Sequence, residues 1–238
     1  MLFFYVRHGD PIYHPDSLTP KGELQAAALA PRFARYGLDQ IFVSSSNRAQ
    51  LTAKPTCQAL NIQPTVLDWC NESHAYRELA VTDENGKRRW AFQDDDYCRL
   101  MISPEIRALG HEWYLHEAFS KGTFQQGIQR IQKEADVFME QLGYRRRPQD
   151  GTYDAVRPND QRVALFAHQG FGLAFLSHLL NIPYPAFCSY FDMGHTGVTV
   201  IEFNDLNGIS IPKVLQLSND SHLYHEGLPT DYQNSVWI

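Results

Sequence analysis

Two short apolar runs, each stopped by a histidine with a glycine close behind, constrain this chain most. Met1-Leu2-Phe3-Phe4-Tyr5-Val6 leads into Arg7-His8-Gly9, and Val163-Ala164-Leu165-Phe166-Ala167 leads into His168-Gln169-Gly170. Runs this short, rich in aromatic and β-branched residues, read as buried strands. A strand that is apolar along its whole length needs cover on both faces, which points to a mainly parallel sheet between helices. In open α/β sheets, ligands bind at the carboxyl ends of the strands. That is where Arg7, His8 and His168 fall, each histidine near a glycine that lets the backbone approach a ligand.

The rest of the chain alternates in the same way. Thr19-Pro20 predicts a helix start, with Thr19 as N-cap and Pro20 in the first turn. The pattern continues to Gly37, a stop signal, although Pro31 inside it should kink or restart the helix. Gln40 to Val43 is a second strand, and a helix begins near Asn47 and carries Arg48 in its first turn. Pro64 to Leu67 is a third strand. From about Cys70 to Arg147 the composition turns polar and aromatic, ending in a helix with Ile128, Ile131, Ala135, Phe138 and Leu142 on one face. Arg145 through Pro158 reads as an exposed loop. A helix from about Phe171 to Leu180 follows the strongest strand. Gly197 to Ile201 and Pro212 to Leu215 are the last strands. Strands alternating with helices give an α/β class.

Bulk properties exclude some functions. With 238 residues, 43% hydrophobic and 20% charged, the chain can bury a sizeable core. A formal net charge of −6 is a poor match to a nucleic-acid binder, though a local cluster of arginines can still hold an anionic substrate. The opening apolar run is too short for a signal-peptide core or a membrane span. Cys57, Cys70, Cys98 and Cys188 form no C-x-x-C pair and read as free thiols of a reducing compartment, so a cytoplasmic location is expected. His111-Glu112-Trp113-Tyr114-Leu115-His116 has its histidines five apart, not the four a zinc-binding helix face needs. Lys87-Arg88-Arg89-Trp90 reads as a solvated loop, with a lid over the site as the alternative. His222 and His225 read as structural or exposed.

Four motifs recur in order: Arg7-His8-Gly9, Leu18-Thr19-Pro20-Lys21-Gly22 with Gln25-Ala26, Ser44-Ser45-Ser46-Asn47-Arg48-Ala49 with Thr52-Ala53, and His168 with Gly170. In these the chain resembles the histidine phosphatase superfamily, the phosphoglycerate-mutase-like proteins. The resemblance spans residues 1–60 and about 160–220. It implies a three-layer α/β/α fold and metal-independent phosphoryl transfer through a phosphohistidine, with no cofactor. The chain would then be one domain over 1–238, with an inserted cap at about 70–150 shaping the pocket.

The residue chemistry fits those roles. A neutral imidazole at His8 is nucleophilic near pH 7, with its second nitrogen held by a backbone carbonyl. The guanidinium forks of Arg7 and Arg48 match phosphoryl oxygens, aided at Arg48 by a helix N-terminus. His168 would complete the clamp as a donor, with Gln169 beside it. The leaving oxygen needs a proton, which the resemblance places on an acidic side chain after the third strand. Glu72 is the choice, with Glu78 and Asp68 as competitors. Ser44, Ser45 and Ser46 lack a G-x-S-x-G elbow and read as turn and cap residues.

Three departures from the family pattern leave the substrate open. Asp10-Pro11-Ile12-Tyr13 follows the first motif, His-Gln-Gly replaces His-Gly-Gly, and no glycine- and tryptophan-containing stretch follows Glu72. The expected function is hydrolysis of a small organic phosphate monoester. The alternatives are a phosphoglycerate mutase and a catalytically idle phosphate-binding or scaffold protein. The expected partner is a small phosphorylated metabolite, with neither nucleic acid nor membrane.

Overall fold

The alternation along the first strand sets the layers. The structure is a computed structural model describing residues 1–83 and 85–230. In β1 (Leu2–Arg7), Phe4 and Val6 point to one face of the sheet, and Phe3 and Tyr5 to the other. The first face is covered by α1 (Pro20–Tyr36) and α2 (Asn47–Leu60), through Leu29, Phe33, Ala49 and Ala53. Between β1 and α1 lies a small hairpin, β2 (Pro11–Ile12) with β3 (Ser17–Leu18). The remaining strands of the first half are β4 (Gln40–Ser44) and β5 (Thr65–Leu67).

The segment expected to form the cap follows. It comprises α3 (Glu72–Leu79), a hairpin of β6 (Ala80–Thr82) and β7 (Arg88–Trp90), and the short helices α4 (Asp95–Met101), α5 (Pro104–Leu109) and α6 (Glu117–Ser120). The long α7 (Phe124–Gln141) closes it. Next come β8 (Tyr144–Arg146), β9 (Tyr153–Ala155), β10 (Arg162–Ala167), α8 (Gln169–Leu179) and α9 (Tyr184–Tyr190). The described chain ends with β11 (Val198–Glu202), β12 (Ile209–Ser210), β13 (Lys213–Asn219) and α10 (Ser221–His225).

The central sheet has the order β13-β11-β1-β10-β4-β5. β1, β10, β4 and β5 run parallel, and β11 and β13 pair antiparallel. This is a mixed α/β sheet, mainly parallel and flanked by helices, as the sequence pattern requires. Its second face carries Phe138 of α7, Phe171 and Phe175 of α8, and Phe187 of α9 in one continuous apolar cluster. Trp113 and Phe119 of the cap belong to that same cluster, so the cap shares its core with the sheet. Every residue of α8 is buried, because α7, α9 and α3 surround it.

Three local expectations need correction. Pro31 does not interrupt α1, which runs unbroken for 17 residues. Pro31 and Ala27 both face solvent, so the Ala27 carbonyl that loses its partner can turn to water. The 145–158 stretch is not merely an exposed loop. It contributes β8 and β9 to a small sheet with β12, drawn inward because Tyr144 and Tyr153 pack on Phe203 at 5.1 and 5.4 Å. Within Lys87–Trp90, Arg88–Trp90 is a strand, and Trp90 is buried. All four cysteines are free, three of them buried. Among the described residues no helix is long and apolar enough to cross a membrane.

Candidate active site

The sheet order dictates the site. β10 lies between β1 and β4, with Arg7 beside Ala167 and Phe166 beside Val43 in register. The residues that leave these three strands at their carboxyl ends are therefore neighbours, although 160 positions separate His8 from His168. The two imidazole rings lie 5.2 Å apart, centroid to centroid. Arg7, His8, Arg48, Glu72 and Gln169 line one cleft of about 470 Å³. His168 is wholly buried behind its floor, between Arg48 and Glu72.

His8 is held in one tautomer. Its Nδ1–H donates to its neighbour's carbonyl, Gly9 O, at 2.7 Å, which leaves the lone pair on Nε2. Burial, with His168, Arg48 and Arg7 nearby, holds the His8 pKa well below 6.5, so the ring is neutral at pH 7. Gly9 is required by packing: a Cβ there would lie 2.7 Å from Gly22 O in the start of α1. Tethering of the Gly9 N–H to Thr52 Oγ1 at 2.9 Å completes the anchor.

Arg7 is 1% exposed and donates to Met193 O. Its Nη2 also lies 2.9 Å from His195 Nε2, which must accept because a guanidinium only donates. Burial lowers the Arg7 pKa to about 10, leaving it charged at neutral pH. Arg48 donates to Asp16 Oδ1 at 2.7 Å through Nη1, while Nη2 lies 3.2 Å from His168 Nδ1. Its guanidinium sits 5.3 Å from the centre of the Tyr13 ring.

The N-terminus of α2 was expected to be free for a ligand anion. It is already occupied by the chain's own carboxylate: Asp16 Oδ2 accepts from Asn47 N and Ser46 Oγ, both at 2.7 Å. Despite burial, the bonds from Arg48, Ser46 and Asn47 hold the Asp16 carboxyl below its usual range. Asp16 thus fixes Arg48 in place while sharing its charge.

His168 has Nε2 2.8 Å from Ser44 Oγ and Nδ1 3.3 Å from Glu72 Oε2. Burial, with Arg48 and Arg7 alongside, depresses its pKa well below 6.5. Its backbone is clamped both ways by Tyr5, whose hydroxyl donates to His168 O at 2.6 Å and accepts from His168 N at 3.2 Å. Glu72 opens α3 after the N-cap Asn71, and its Oε1 accepts from Phe171 N at 3.1 Å. Gly170 permits this contact. A Cβ there would overlap the Trp90 ring and lie 2.8 Å from Glu72 Oε1, so the glycine makes room for the cap rather than for a ligand.

The competing acids sit elsewhere. Glu78 is held by Arg130 through both oxygens, at 2.7 to 3.0 Å. Asp68 is taken by Ser45 and His74 at the surface. The Gln169 side chain lines the cleft, with its Nε2 turned to Asp192. His8, Glu72 and His168 offer three ligand atoms within 4.8 Å of one another, a spacing a metal ion could use. Two guanidiniums in the same space oppose a cation there and favour a tetrahedral anion.

Sequence reasoning missed His195, Asp16 and Tyr13. All three lie in irregular segments, where no periodicity marks a residue that meets the site through tertiary contact. The one available signal was the position of Tyr13 within the Asp10-Pro11-Ile12-Tyr13 departure that follows Gly9.

Fold and cleft together define an α/β protein with a buried histidine and two arginines at the carboxyl end of a mainly parallel sheet. Residues 4–97 match the family model "Histidine phosphatase superfamily (branch 1)". The fold is shared along nearly the whole length. A phosphoserine phosphatase from Entamoeba histolytica, solved with 3-phosphoglyceric acid, is 16% identical with a TM-score of 0.60, the match covering 93% of this chain and 98% of that one. A mycobacterial glucosyl-3-phosphoglycerate phosphatase solved with VO3 is 16% identical, with a TM-score of 0.58 and coverage of 91% and 98%. The alpha-ribazole phosphatase of Shigella flexneri is 18% identical, with a TM-score of 0.58 and coverage of 92% and 97%. At these identities the likeness is one of fold. No curated protein matches the sequence.

Proposed function

We propose that this protein is a metal-independent phosphatase that hydrolyses a small organic phosphate monoester through a phosphohistidine at His8. The observation that carries the reading is the meeting of His8, Arg7 and Arg48 in one cleft, with His168 buried behind its floor against Arg48 and Glu72. In the first half-reaction the His8 Nε2 lone pair attacks phosphorus, and the bond to the leaving oxygen breaks. Glu72 gives its proton to that oxygen. Arg7 and Arg48 hold the phosphoryl oxygens. His168 Nδ1 accepts from Arg48 Nη2 and its Nε2–H donates to Ser44 Oγ, so the ring holds Arg48 against the phosphoryl group. These donors supply the charge neutralisation that metal ions give other phosphoryl-transfer enzymes. In the second half-reaction water attacks phosphorus, Glu72 takes its proton, and the P–N bond breaks to release phosphate and restore His8.

The segment 70–150 acts as a cap within a single domain. It brings Glu72, Ser73, Tyr76 and Trp90 to the cleft wall, which Gln169 also lines. The phosphatase reading is favoured over a mutase by the charge of the cleft. A mutase must hold a phosphorylated intermediate between two transfers, which calls for a strongly basic enclosure. Here Asp16 and Glu72 stand beside Arg7 and Arg48. The free cysteines are consistent with a cytoplasmic setting. Turnover of p-nitrophenyl phosphate in EDTA tests the proposal. We expect hydrolysis that His8→Ala abolishes. Phosphate binding without turnover of any ester would favour the idle binding protein instead.

A further inference from the structure

We propose that the cleft selects phosphate monoesters whose leaving group is uncharged and carries a flat apolar face, and rejects esters with a second anionic group. The inference rests on the phosphatase reading and names a substrate class for it. Beyond the phosphate clamp the walls are aromatic. Tyr13, Tyr76 and Trp90 all line the cleft. Tyr76 meets Trp90 edge to face, with centroids 5.1 Å apart and planes at 77°. Trp90 is fixed from behind by Phe92, stacked at 5.4 Å, and from below by Gly170. The polar rim consists of Asn71, Ser73 and the exposed His14. A cleft of about 470 Å³ holds a phosphoryl group together with a ring-sized substituent.

Charge decides against a second anion. Among the described residues lining the cleft, the only arginines or lysines are Arg7 and Arg48, and Arg48 already shares its charge with Asp16. The arginines of the neighbouring cap are turned to other partners. Arg88 donates to Arg77 O with its guanidinium 5.9 Å from the centre of the Tyr76 ring, Arg89 pairs with Asp83, and Arg77 lies against His74. One phosphoryl group therefore uses the strong positive charge available. A carboxylate or second phosphate on the leaving group would be desolvated against tyrosines and near Asp16 and Glu72, with no further guanidinium among the residues that line the cleft. An aromatic or similarly flat neutral group instead gains aromatic contact with the corner that Tyr76 and Trp90 form.

The test compares kcat/KM of the full chain for benzyl phosphate, glycerol phosphate and phosphoglycerate. All three release alkoxides, so intrinsic reactivity does not decide the order. We expect benzyl phosphate to exceed glycerol phosphate by about tenfold, the scale of one aromatic contact. Phosphoglycerate should be the poorest. Tyr76→Leu, and separately the milder Trp90→Phe, should lower the benzyl-to-glycerol ratio. Equal or better turnover of phosphoglycerate, or an unchanged ratio in both variants, overturns the proposal while leaving the phosphatase reading intact. Binding of benzylphosphonate against phosphonoacetate, neither hydrolysable, reads the same preference without turnover. Tighter binding of phosphonoacetate overturns it even if the protein hydrolyses nothing.

Discussion

Replacing Glu72 with glutamine separates proton donation from the other things this side chain does. Glutamine keeps an oxygen for Phe171 N, which Glu72 Oε1 meets at 3.1 Å, and keeps the volume beside Gly170 and Trp90. It removes the dissociable proton. A positioned general acid contributes about 10² to 10⁴ in rate, or roughly 3 to 5 kcal/mol of barrier. That contribution must depend on the leaving group. An alkoxide is too basic to leave without a proton, whereas nitrophenolate departs as a stable anion. We therefore expect Glu72→Gln to lower kcat/KM for benzyl phosphate by on the order of 10³, and for p-nitrophenyl phosphate by no more than about tenfold. Steady-state kinetics on both esters, with Glu78→Gln as the control, measures the difference. Because Glu78 is engaged by Arg130, its loss should affect both esters alike and weakly. Equal large losses on both esters in Glu72→Gln would refute the assignment. They would show that Glu72 serves to hold His168, 3.3 Å away, rather than to donate a proton.

Three further outcomes follow from the geometry. Arg48→Ala should cost about 10² to 10³ in kcat, the usual price of one transition-state donor. Arg146→Ala, which loses a bond to Asn181 outside the cleft, should cost little, and equal losses would misplace the clamp. His8, His168 and His222 all have folded pKa values pushed below 6.5 by burial, His222 to about 3. Below pH 6.5 the unfolded chain takes up protons that the folded chain refuses, so stability falls as pH drops from about 6.5 toward about 3. Urea midpoints at pH 7 and pH 5 should show the loss, and an unchanged midpoint would contradict it. Gly170→Ala should impair both folding stability and turnover by driving a methyl group into Trp90 and Glu72, and calorimetry with kinetics would show whether either survives.

Much of the frame was legible because it is written locally. The continuous apolar run of β1, the Thr19-Pro20 start of α1 and the one-sided face of α7 each depend on residues within a few positions of one another. His8, Arg48 and His168 were legible because they directly follow strands or open a helix, so their place in the chain fixes their place in space. The small sheet of β8, β9 and β12 was not, since its cause is contact of Tyr144 and Tyr153 with Phe203, some 50 residues onward. His195 was missed for the same reason: its partner Arg7 lies 188 positions away. Asp16 was missed because a carboxylate in a loop near an expected anion site looks unfavourable until its bonds to Ser46, Asn47 and Arg48 are seen. Pro31 misled because the penalty of a helical proline depends on whether its orphaned carbonyl reaches water, which the sequence does not state.

The most direct test of the account is the covalent intermediate. Enzyme quenched during turnover, digested and analysed by mass spectrometry under conditions that preserve phosphoramidates, should carry phosphate on His8, attached at Nε2 because Nδ1 is committed to Gly9 O. The label should be absent from His8→Ala. Phosphate on a serine, a cysteine or another histidine, or turnover undiminished in His8→Ala, would contradict it.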